Sequence, residues 1–377
     1  MKNKNILIVT EYFPNERLEI TGGVEARAYY IGRELAKTNE VTIITSWRSG
    51  DKKCENIDNM TIIRCGKEHK YTNKGAIFSR LRFAIYAYNT ISSLKCDIIF
   101  GYNFIAYLPT YFAAKRLNAR TIATYHETWI GEWIDNTNII VGLLGEIWER
   151  IVLKLNWDKF IAVSDFTRKQ LIKQGIRPTK IEVIPNGIDF PKYNEIQTTK
   201  STRPQLCYIG RLTKNKRVAD IISAVKILQK KHPNILLKII GKGYKEEKLQ
   251  ERKNKLKLDN NIEFLGYINN HKNVLKILAS SQIFVSASIL EGFGISVIEA
   301  CALSVPYVIT DIKPFIEITE GGQGGLIFRN KDIDDLANKI EELFKKEIYQ
   351  QKKKEAINLA KSYDWRDIVE EHYEFKI

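Results

Sequence analysis

The feature that most constrains this chain is a rhythm. Short apolar strands alternate with helical stretches, stop near residue 186, and start again after residue 204. In the first stretch, residues 6–9, 41–45, 61–64, 98–100, 121–124, 160–163 and 181–184 read as strands of the buried, parallel-sheet kind. Between them apolar residues recur at helical spacing, as Val24, Ala28, Ile31 and Leu35 do after Gly22-Gly23. Ser164 is placed to cap a helix over 166–174 that stops at Gly175. In the second stretch strands are expected at 206–210, 235–240, 262–265, 283–286 and 307–310, with helices at 218–228, 274–278, 295–302 and 333–344. Such alternation implies parallel sheets covered on both faces. The expectation is an α/β chain of two Rossmann-like parallel-sheet domains facing across a cleft, where ligands bind beyond the carboxyl ends of the strands. The domains are placed at residues 1–190 and 204–360. A polar, aperiodic linker fills 191–203, and a C-terminal helix at 361–377 carries Tyr363, Trp365, Tyr373 and Phe375 as aromatic anchors.

Composition narrows the partners. At 377 residues the chain can bury two cores without covalent staples. Lys+Arg number 59 against 44 Asp+Glu, a net charge of +15, which predicts attraction to something anionic: nucleic acid, an acidic membrane surface or phosphorylated ligands. Part of the excess is local, with eleven Lys/Arg against three Glu in residues 226–257 and six against Glu68 alone in 64–82. The five cysteines are scattered and form no CxxC, which argues against a disulfide framework or a zinc site and fits a reducing cytoplasm. The apolar run near the N-terminus stops at Val9, before Glu11, too early for a signal peptide. The longest apolar run, 139–145, is far below the ~18 residues of a spanning helix, so no transmembrane anchor is expected.

Several motifs are missing. There is no GxxxxGK[ST], Gly241-Lys242-Gly243 and Gly292-Phe293-Gly294 each lack the third glycine of GxGxxG, and His126-Glu127 is not followed by the second histidine of HExxH. Asp332-Ile333-Asp334 resembles a metal-binding DxD, but reads better as a helix start, where carboxylates meet free N–H groups. No metal ligand set is assigned. The strongest segment is Glu291-Gly292-Phe293-Gly294-Ile295-Ser296-Val297-Ile298-Glu299, which follows a strand and opens a helix. A glycine-rich turn at a helix N-terminus favours phosphate. Glu299 falls roughly 7–8 Å along the helix axis, and two carboxylates flanking a phosphate suit vicinal hydroxyls, sugar at one end and ribose at the other. The alternative is a solvated loop glutamate and a surface helix glutamate. Gly210-Arg211-Leu212 with Lys216 also stands between strand and helix, where two cations can clamp a diphosphate, or form a solvated basic loop with Lys214 and Arg217. His126, in Thr124-Tyr125-His126-Glu127, follows a strand and can face the cleft to bond a sugar hydroxyl, or serve structure alone.

Taken together these residues resemble the retaining, nucleotide-sugar-dependent glycosyltransferases of family four, the group 1 glycosyl transferases, which have the two-domain GT-B fold. The resemblance covers nearly the whole chain, in order: Phe13-Pro14, Gly22-Gly23-Val24-Glu25, Thr124-Tyr125-His126-Glu127, Val163-Ser164, Ile184-Pro185-Asn186-Gly187-Ile188-Asp189, Gly210-Arg211-Leu212 with Lys216, and Glu291-x7-Glu299. It implies an N-terminal acceptor-binding domain, a C-terminal nucleotide-sugar-binding domain, and a C-terminal helix that crosses back to the N-terminal domain. It implies that Arg211 and Lys216 hold the donor diphosphate and stabilise the departing nucleotide, and that Glu299 binds the ribose. Glu291 contacts the transferred sugar, with the N–H groups of Phe293, Gly294 and Ile295 near sugar and phosphates. By the same resemblance His126 bonds a sugar hydroxyl and helps position the acceptor, and Gly23 lies near the phosphates or the acceptor. No cofactor and no metal is implied, basic residues and helix ends doing that electrostatic work. Two departures from the family pattern, Asp311-Ile312-Lys313-Pro314 and Arg217 after Lys216, bear on donor preference.

The expected activity is transfer of a sugar, a hexose by class, from a nucleotide-diphosphate sugar to a hydroxyl of a glycan or lipid-linked acceptor, in cell-surface polysaccharide, lipopolysaccharide or glycolipid assembly. The expected location is cytoplasmic, at the inner face of the membrane, with peripheral association to anionic lipid. Residues 70–95 support this by mixing Lys74, Arg80 and Arg82 with Phe78, Leu81, Phe83, Tyr86 and Tyr88, followed by Trp129, Trp133 and the apolar run at 139–144. The same pattern fits a buried amphipathic helix with a wet basic side. A nucleotide-sugar epimerase or hydrolase on the same fold, or a basic nucleic-acid-binding protein, are the rival readings. No helix-turn-helix, zinc or RNA-binding signature supports the latter.

Overall fold

The computed structural model describes residues 4–16, 18, 20, 22–69, 77–136 and 139–373. Lys70, Lys74 and Phe375, named above, lie outside the described residues. The chain divides into two compact units, Met1–Pro185 with Ile368–Ile377, and Asn186–Asp367.

The first unit runs β1 (Asn5–Val9), α1 (Gly23–Leu35), β2 (Glu40–Arg48), β3 (Cys54–Ile57), β4 (Met60–His69), α2 (Ile77–Ser92), β5 (Ile98–Gly101), α3 (Tyr107–Leu117), β6 (Arg120–Tyr125), α4 (Trp133–Asn136), α5 (Ile139–Lys154), β7 (Lys159–Ala162), α6 (Asp165–Lys173) and β8 (Ile181–Val183). Its strands form one sheet in the order β3-β4-β2-β1-β5-β6-β7-β8. All neighbours are parallel except β3, which pairs antiparallel with β4 in the register Cys54↔Ile63 to Ile57↔Met60. The sequence reading had only parallel strands. The exception follows from Asp58 and Asn59, whose φ angles of 46° and 64° close a two-residue hairpin of the kind that matches strand twist. The strand cores read as near-continuous buried runs, Ile6 to Val9 being at most 2% exposed, as expected of a sheet with helices on both faces.

The second unit holds α7 (Phe190–Asn194), β9 (Gln205–Ile209), α8 (Val218–Leu228), β10 (Leu236–Ile240), α9 (Glu246–Lys255), β11 (Ile262–Gly266), α10 (His271–Ser280), β12 (Ile283–Ser286), α11 (Ile295–Ala302), β13 (Tyr307–Thr310), α12 (Lys313–Ile318), β14 (Gly325–Phe328), α13 (Ile333–Leu343) and α14 (Lys346–Lys361). Its six strands are all parallel, in the order β11-β10-β9-β12-β13-β14. A final helix, α15 (Trp365–His372), starts in this unit and passes into the first at Ile368.

The segment read as a linker, 191–203, differs in the structure: the units part after Pro185, and α7 belongs to the second unit. The reason is packing. Ile188 is buried and bridges Asp364, Tyr193 is buried, and Lys200 and Ser201 bond to the end of α10 at Ser281 and Ser280. Asp332 caps α13, its carboxylate accepting from the Asp335 N–H at 2.9 Å, and it pairs with Arg329. Among the described residues no group of three or more His, Cys, Asp or Glu side chains is arranged to hold a metal.

Candidate functional site

In the second unit the chain leaves β9 towards β10 and β11, then returns to lay β12 on the other side of β9. The carboxyl ends of β9 and β12 therefore flank the point where strand order reverses, the place where open α/β sheets form ligand crevices. After β9 come Gly210-Arg211-Leu212 and a single 3-10 turn, Lys214–Lys216. After β12 comes the loop that leads through Glu291 to α11. The Ile289 N–H donates to the Asn215 carbonyl at 2.9 Å, stitching the two loops together. Across this stitch the Lys216 ammonium pairs with the Glu291 carboxylate. Arg211 is exposed, and its guanidinium makes no ion pair among the described residues.

Behind these loops lies the reason for the two glycines that failed as GxGxxG. Gly210 N–H bonds to Ile240 O, Leu212 N–H to Lys242 O, both at 3.0 Å, and Lys245 N–H to Leu212 O at 3.1 Å. The 241–243 loop is thus zipped backbone to backbone against the loop that carries Arg211. Gly241 has φ +132°, and a Cβ there would lie 2.0 Å from the Gly210 carbonyl oxygen.

Gly294, at φ +111°, turns the chain into α11, and a Cβ on it would meet the Phe315 ring at 2.6 Å. Phe293 is 5% exposed, its ring edge-on to Tyr363 at 5.8 Å. Its side chain is therefore a core peg, and only its backbone remains for a ligand. With Gly294 and Ile295 it forms the start of α11, where N–H groups lack intrahelical partners and the dipole favours an anion. Glu299, on the same helix, is 7% exposed. Its Oε1 accepts from the Tyr193 hydroxyl at 3.0 Å and faces the Nε2 of His271 at 2.9 Å. Sequence reasoning missed both partners. Tyr193 lay in the stretch read as linker, and His271 opens α10; helical spacing alone ties neither to Glu299.

Burial pulls the His271 ring towards neutrality, but the charge and hydrogen bond of Glu299 outweigh it, and the pKa is raised. A raised folded-state pKa means that the pairing stabilises fully below the unfolded value of ~6.5 and is lost as pH rises through the folded value. The His271→Asn variant is expected to melt below wild type near pH ~6, with the gap narrowing near pH ~9. Melting curves across pH test this, and a gap independent of pH would exclude the charged pair.

The first unit holds Gly23 and His126. Gly22 is extended and Gly23 opens α1, with nothing within 4 Å of where either Cβ would stand. One turn on, Arg27 is fully buried, its Nη1 donating to the Pro185 carbonyl at 2.8 Å and its Nη2 to the Tyr373 hydroxyl at 3.3 Å. His126 follows β6. Its carbonyl accepts from Thr167 Oγ1 at 3.2 Å, while its Nε2 is sealed from solvent without a hydrogen bond among the described residues. Burial, aided by the Arg27 charge, lowers its pKa to about 3, so the ring is neutral. The Val163-Ser164 pair has a local role: the Ser164 hydroxyl caps α6 by accepting from the Thr167 N–H at 3.1 Å. The structure thus gathers Arg211, Lys216, Glu291, Phe293, Gly294, Ile295 and Glu299 in the second unit, and places Gly23 and His126 in the first.

Two units of this topology are the GT-B architecture. Residues 189–361 match the model of the glycosyl transferases group 1, and residues 21–191 match that of Glycosyltransferase Family 4. The chain belongs to the group 1 glycosyltransferases of the family four type, enzymes acting on nucleotide sugars. It is 25% identical over 287 residues to a glycogen synthase of Mycobacterium tuberculosis, covering 74% of this chain and 68% of that protein. It is also 25% identical over 232 residues to the GDP-mannose:cellobiosyl-diphosphopolyprenol alpha-mannosyltransferase of Xanthomonas oryzae, covering 59% and 60% respectively. In fold it resembles HepE of Anabaena, solved with UDP and glucose, at a TM-score of 0.76 and 16% identity, covering 98% of each chain.

Proposed function

We propose that the protein is a retaining, metal-independent hexosyltransferase that moves a sugar from a nucleotide-diphosphate sugar to a hydroxyl of a glycan or lipid-linked acceptor in cell-surface polysaccharide or glycolipid assembly. The observation that carries this reading is the convergence of Arg211, Lys216, Glu291 and the α11 N-terminus at the β9/β12 reversal, with Glu299 buried on the same helix. Arg211 and Lys216 hold the diphosphate and stabilise the departing nucleotide, Arg as a fork and Lys as a point charge. The N–H groups of Phe293, Gly294 and Ile295 meet phosphate and sugar oxygens. Glu299, oriented by Tyr193 and His271, uses its second oxygen for the ribose hydroxyls. Glu291, released from Lys216 when phosphate takes that cation, accepts from a hydroxyl of the transferred sugar. The neutral His126 ring bonds a sugar hydroxyl from the first unit, and Gly23, with open space around it, lets backbone approach phosphate or acceptor. Retention proceeds on the donor's front face. The names of the mannosyltransferase relative and of the HepE complex, a diphosphopolyprenol acceptor and UDP, support a lipid-linked acceptor and a nucleotide donor. Work on such an acceptor places the chain in the cytoplasm at the inner face of the membrane.

The deciding experiment is thermal protection by UDP, GDP and ADP, each beside its monophosphate, without metal, for wild type and Glu299→Ala. A diphosphate at ~100 times its Kd adds about 2.7 kcal/mol, a rise of roughly 5–10 °C for a unit of this size. One diphosphate is expected to protect the wild type and to fail with the variant. Protection that requires a divalent cation, or that survives Glu299→Ala, would overturn the assignment. Consumption of donor without an acceptor would favour the epimerase or hydrolase instead.

A further inference from the structure

The two cations assigned to the diphosphate stand on loops, Arg211 just after β9 and Lys216 at the end of the 3-10 turn. A long side chain on a loop is aimed only if the backbone beneath it is fixed. The zipper to residues 241–243 fixes part of these loops. Two tyrosine hydroxyls fix the rest.

Tyr208, the last residue but one of β9, is 1% exposed and belongs to the core cluster that holds Leu206, Leu212 and Val218. Among the described residues, the other buried members of that cluster are aliphatic apart from Phe328. An aliphatic side chain would therefore serve burial as well, and what the phenol adds is a donor. That donor reaches the Arg211 carbonyl at 3.0 Å. The same carbonyl accepts from the Thr213 N–H at 3.1 Å, so the Arg211 peptide is held by two groups. Gly210 leaves the room for this, since a Cβ there would lie 2.8 Å from the Tyr208 hydroxyl oxygen. Burial, with the Glu291 charge nearby, pushes the Tyr208 pKa up, so the hydroxyl keeps its proton to donate.

Tyr244 holds the turn of the second cation. Gly243 lies so flat on the Arg211 loop that a Cβ would stand 2.3 Å from the Leu212 carbonyl oxygen. The next side chain, Tyr244, crosses to the 3-10 turn, where its hydroxyl accepts from the Lys214 N–H at 3.1 Å. The residue is 58% exposed, so burial does not account for its place. The Lys245 ammonium stands 5.6 Å from the ring centroid and favours the ring there. Lys214 opens the turn that Lys216 closes, and between them the Asn215 carbonyl is tied to the Ile289 N–H.

We infer that Tyr208 and Tyr244 are positioning residues: Tyr208 sets the loop of Arg211, and Tyr244 the turn of Lys216, so that the two cations meet one diphosphate. The inference rests on the proposed transfer from a nucleotide-diphosphate sugar and names the groups that aim its cations. Acting through those cations, the tyrosines matter more for a diphosphate than for a monophosphate, which offers one phosphoryl group fewer.

The test uses Tyr208→Phe and Tyr244→Phe in the full chain, each of which removes one oxygen and keeps the ring. Both are expected to melt within about 3 °C of wild type, since each gives up one hydrogen bond. The probes are UDP, GDP or ADP, whichever protects wild type, and its monophosphate. Each variant is expected to bind the diphosphate ~10-fold more weakly and the monophosphate within about twofold of wild type. With the matching diphosphate sugar, kcat should fall ~10-fold at nearly constant KM. In the Arg211→Ala background Tyr208→Phe should cost less than about twofold, and Tyr244→Phe likewise in the Lys216→Ala background, because the group each acts through is gone. Wild-type affinity for the diphosphate in both variants, equal weakening of both nucleotides, or undiminished losses in the Ala backgrounds overturns the inference. A drop of ~10 °C or more in either melt does so too, because that hydroxyl then serves the fold. Protection of wild type is read first. If no diphosphate protects it, the transferase reading fails and takes the inference with it; if one does and both tyrosine variants match wild type, the positioning role alone is refuted.

Discussion

Arg211→Ala is expected to melt at the wild-type temperature and to transfer sugar about 100- to 1,000-fold more slowly. The first half of this result follows from the side chain's position: exposed, and without an ion-pair partner among the described residues. Removing it leaves no buried charge behind, so stability has little to lose. The second half follows from where charge develops. As the glycosidic bond breaks, negative charge gathers on the departing diphosphate, and a guanidinium fork aimed there is worth most in the transition state. The loss should fall on kcat more than on KM. Lys216→Ala should behave differently. It takes the cation from Glu291, whose side chain is 17% exposed, and so costs stability as well as rate. The double variant should be less impaired than the product of the two losses if, as proposed, both cations act on one leaving group. Kinetics with the diphosphate sugar named by thermal protection, beside melting curves, check all three. If Arg211→Ala keeps kcat within about threefold, the leaving-group role assigned to it is wrong.

Gly241→Ala is expected to destabilise the second unit by about 3–5 kcal/mol, enough to lower its melting temperature by ~10 °C. Two penalties coincide there. The φ of +132° is a conformation L side chains rarely adopt, and the new Cβ would stand 2.0 Å from the Gly210 carbonyl oxygen. That oxygen is backbone, between the Gly210 and Leu212 N–H groups that bond to Ile240 and Lys242, and cannot swing away as a side chain would. The relief available is for the Arg211 loop to move, so the variant should lose nucleotide protection even below its melting point. Gly22→Ala is the control: extended backbone, nothing within 4 Å, and a loss under about 1 kcal/mol from the weaker helix cap. Equal melting temperatures for wild type and Gly241→Ala would mean that the two loops are not locked.

How much of this was legible in the sequence depended on the range of the interaction that fixes each element. Helices α8 and α11 and strands β12 and β13 coincide with the boundaries read from apolar runs, because burial alone selects them. Strand β3 was not foreseen, since Cys54-Glu55-Asn56-Ile57 is a polar edge whose only local mark is the Asp58-Asn59 turn. Strand β14 and helix α14 were missed for a similar reason: Gly325 at the start of one and a Lys-rich face on the other blur the period. In the candidate site, Glu291 and Glu299 were readable because their spacing spans one turn and one helix. Tyr193 and His271 were not, because 106 and 28 residues separate them from Glu299 and only the folded sheet brings them there. The apolar run at the start of α5 was visible, but its exposure was not, since apolar content alone cannot tell a buried face from an open one.

The discontinuity of the first unit bears on how the protein is made. Residues Met1–Pro185 leave the ribosome first, yet Tyr373, whose hydroxyl meets Arg27 and whose ring lies 5.8 Å from Phe100, is synthesised 346 and 273 positions later. The second unit, Asn186–Asp367, is one uninterrupted stretch and can close as soon as it emerges. The nascent first unit must therefore wait with Arg27 short of one of its partners while a whole neighbouring unit folds. A released chain that ends just before residue 373 is expected to keep the second unit and to leave the first without the Tyr373 contacts to Arg27 and Phe100.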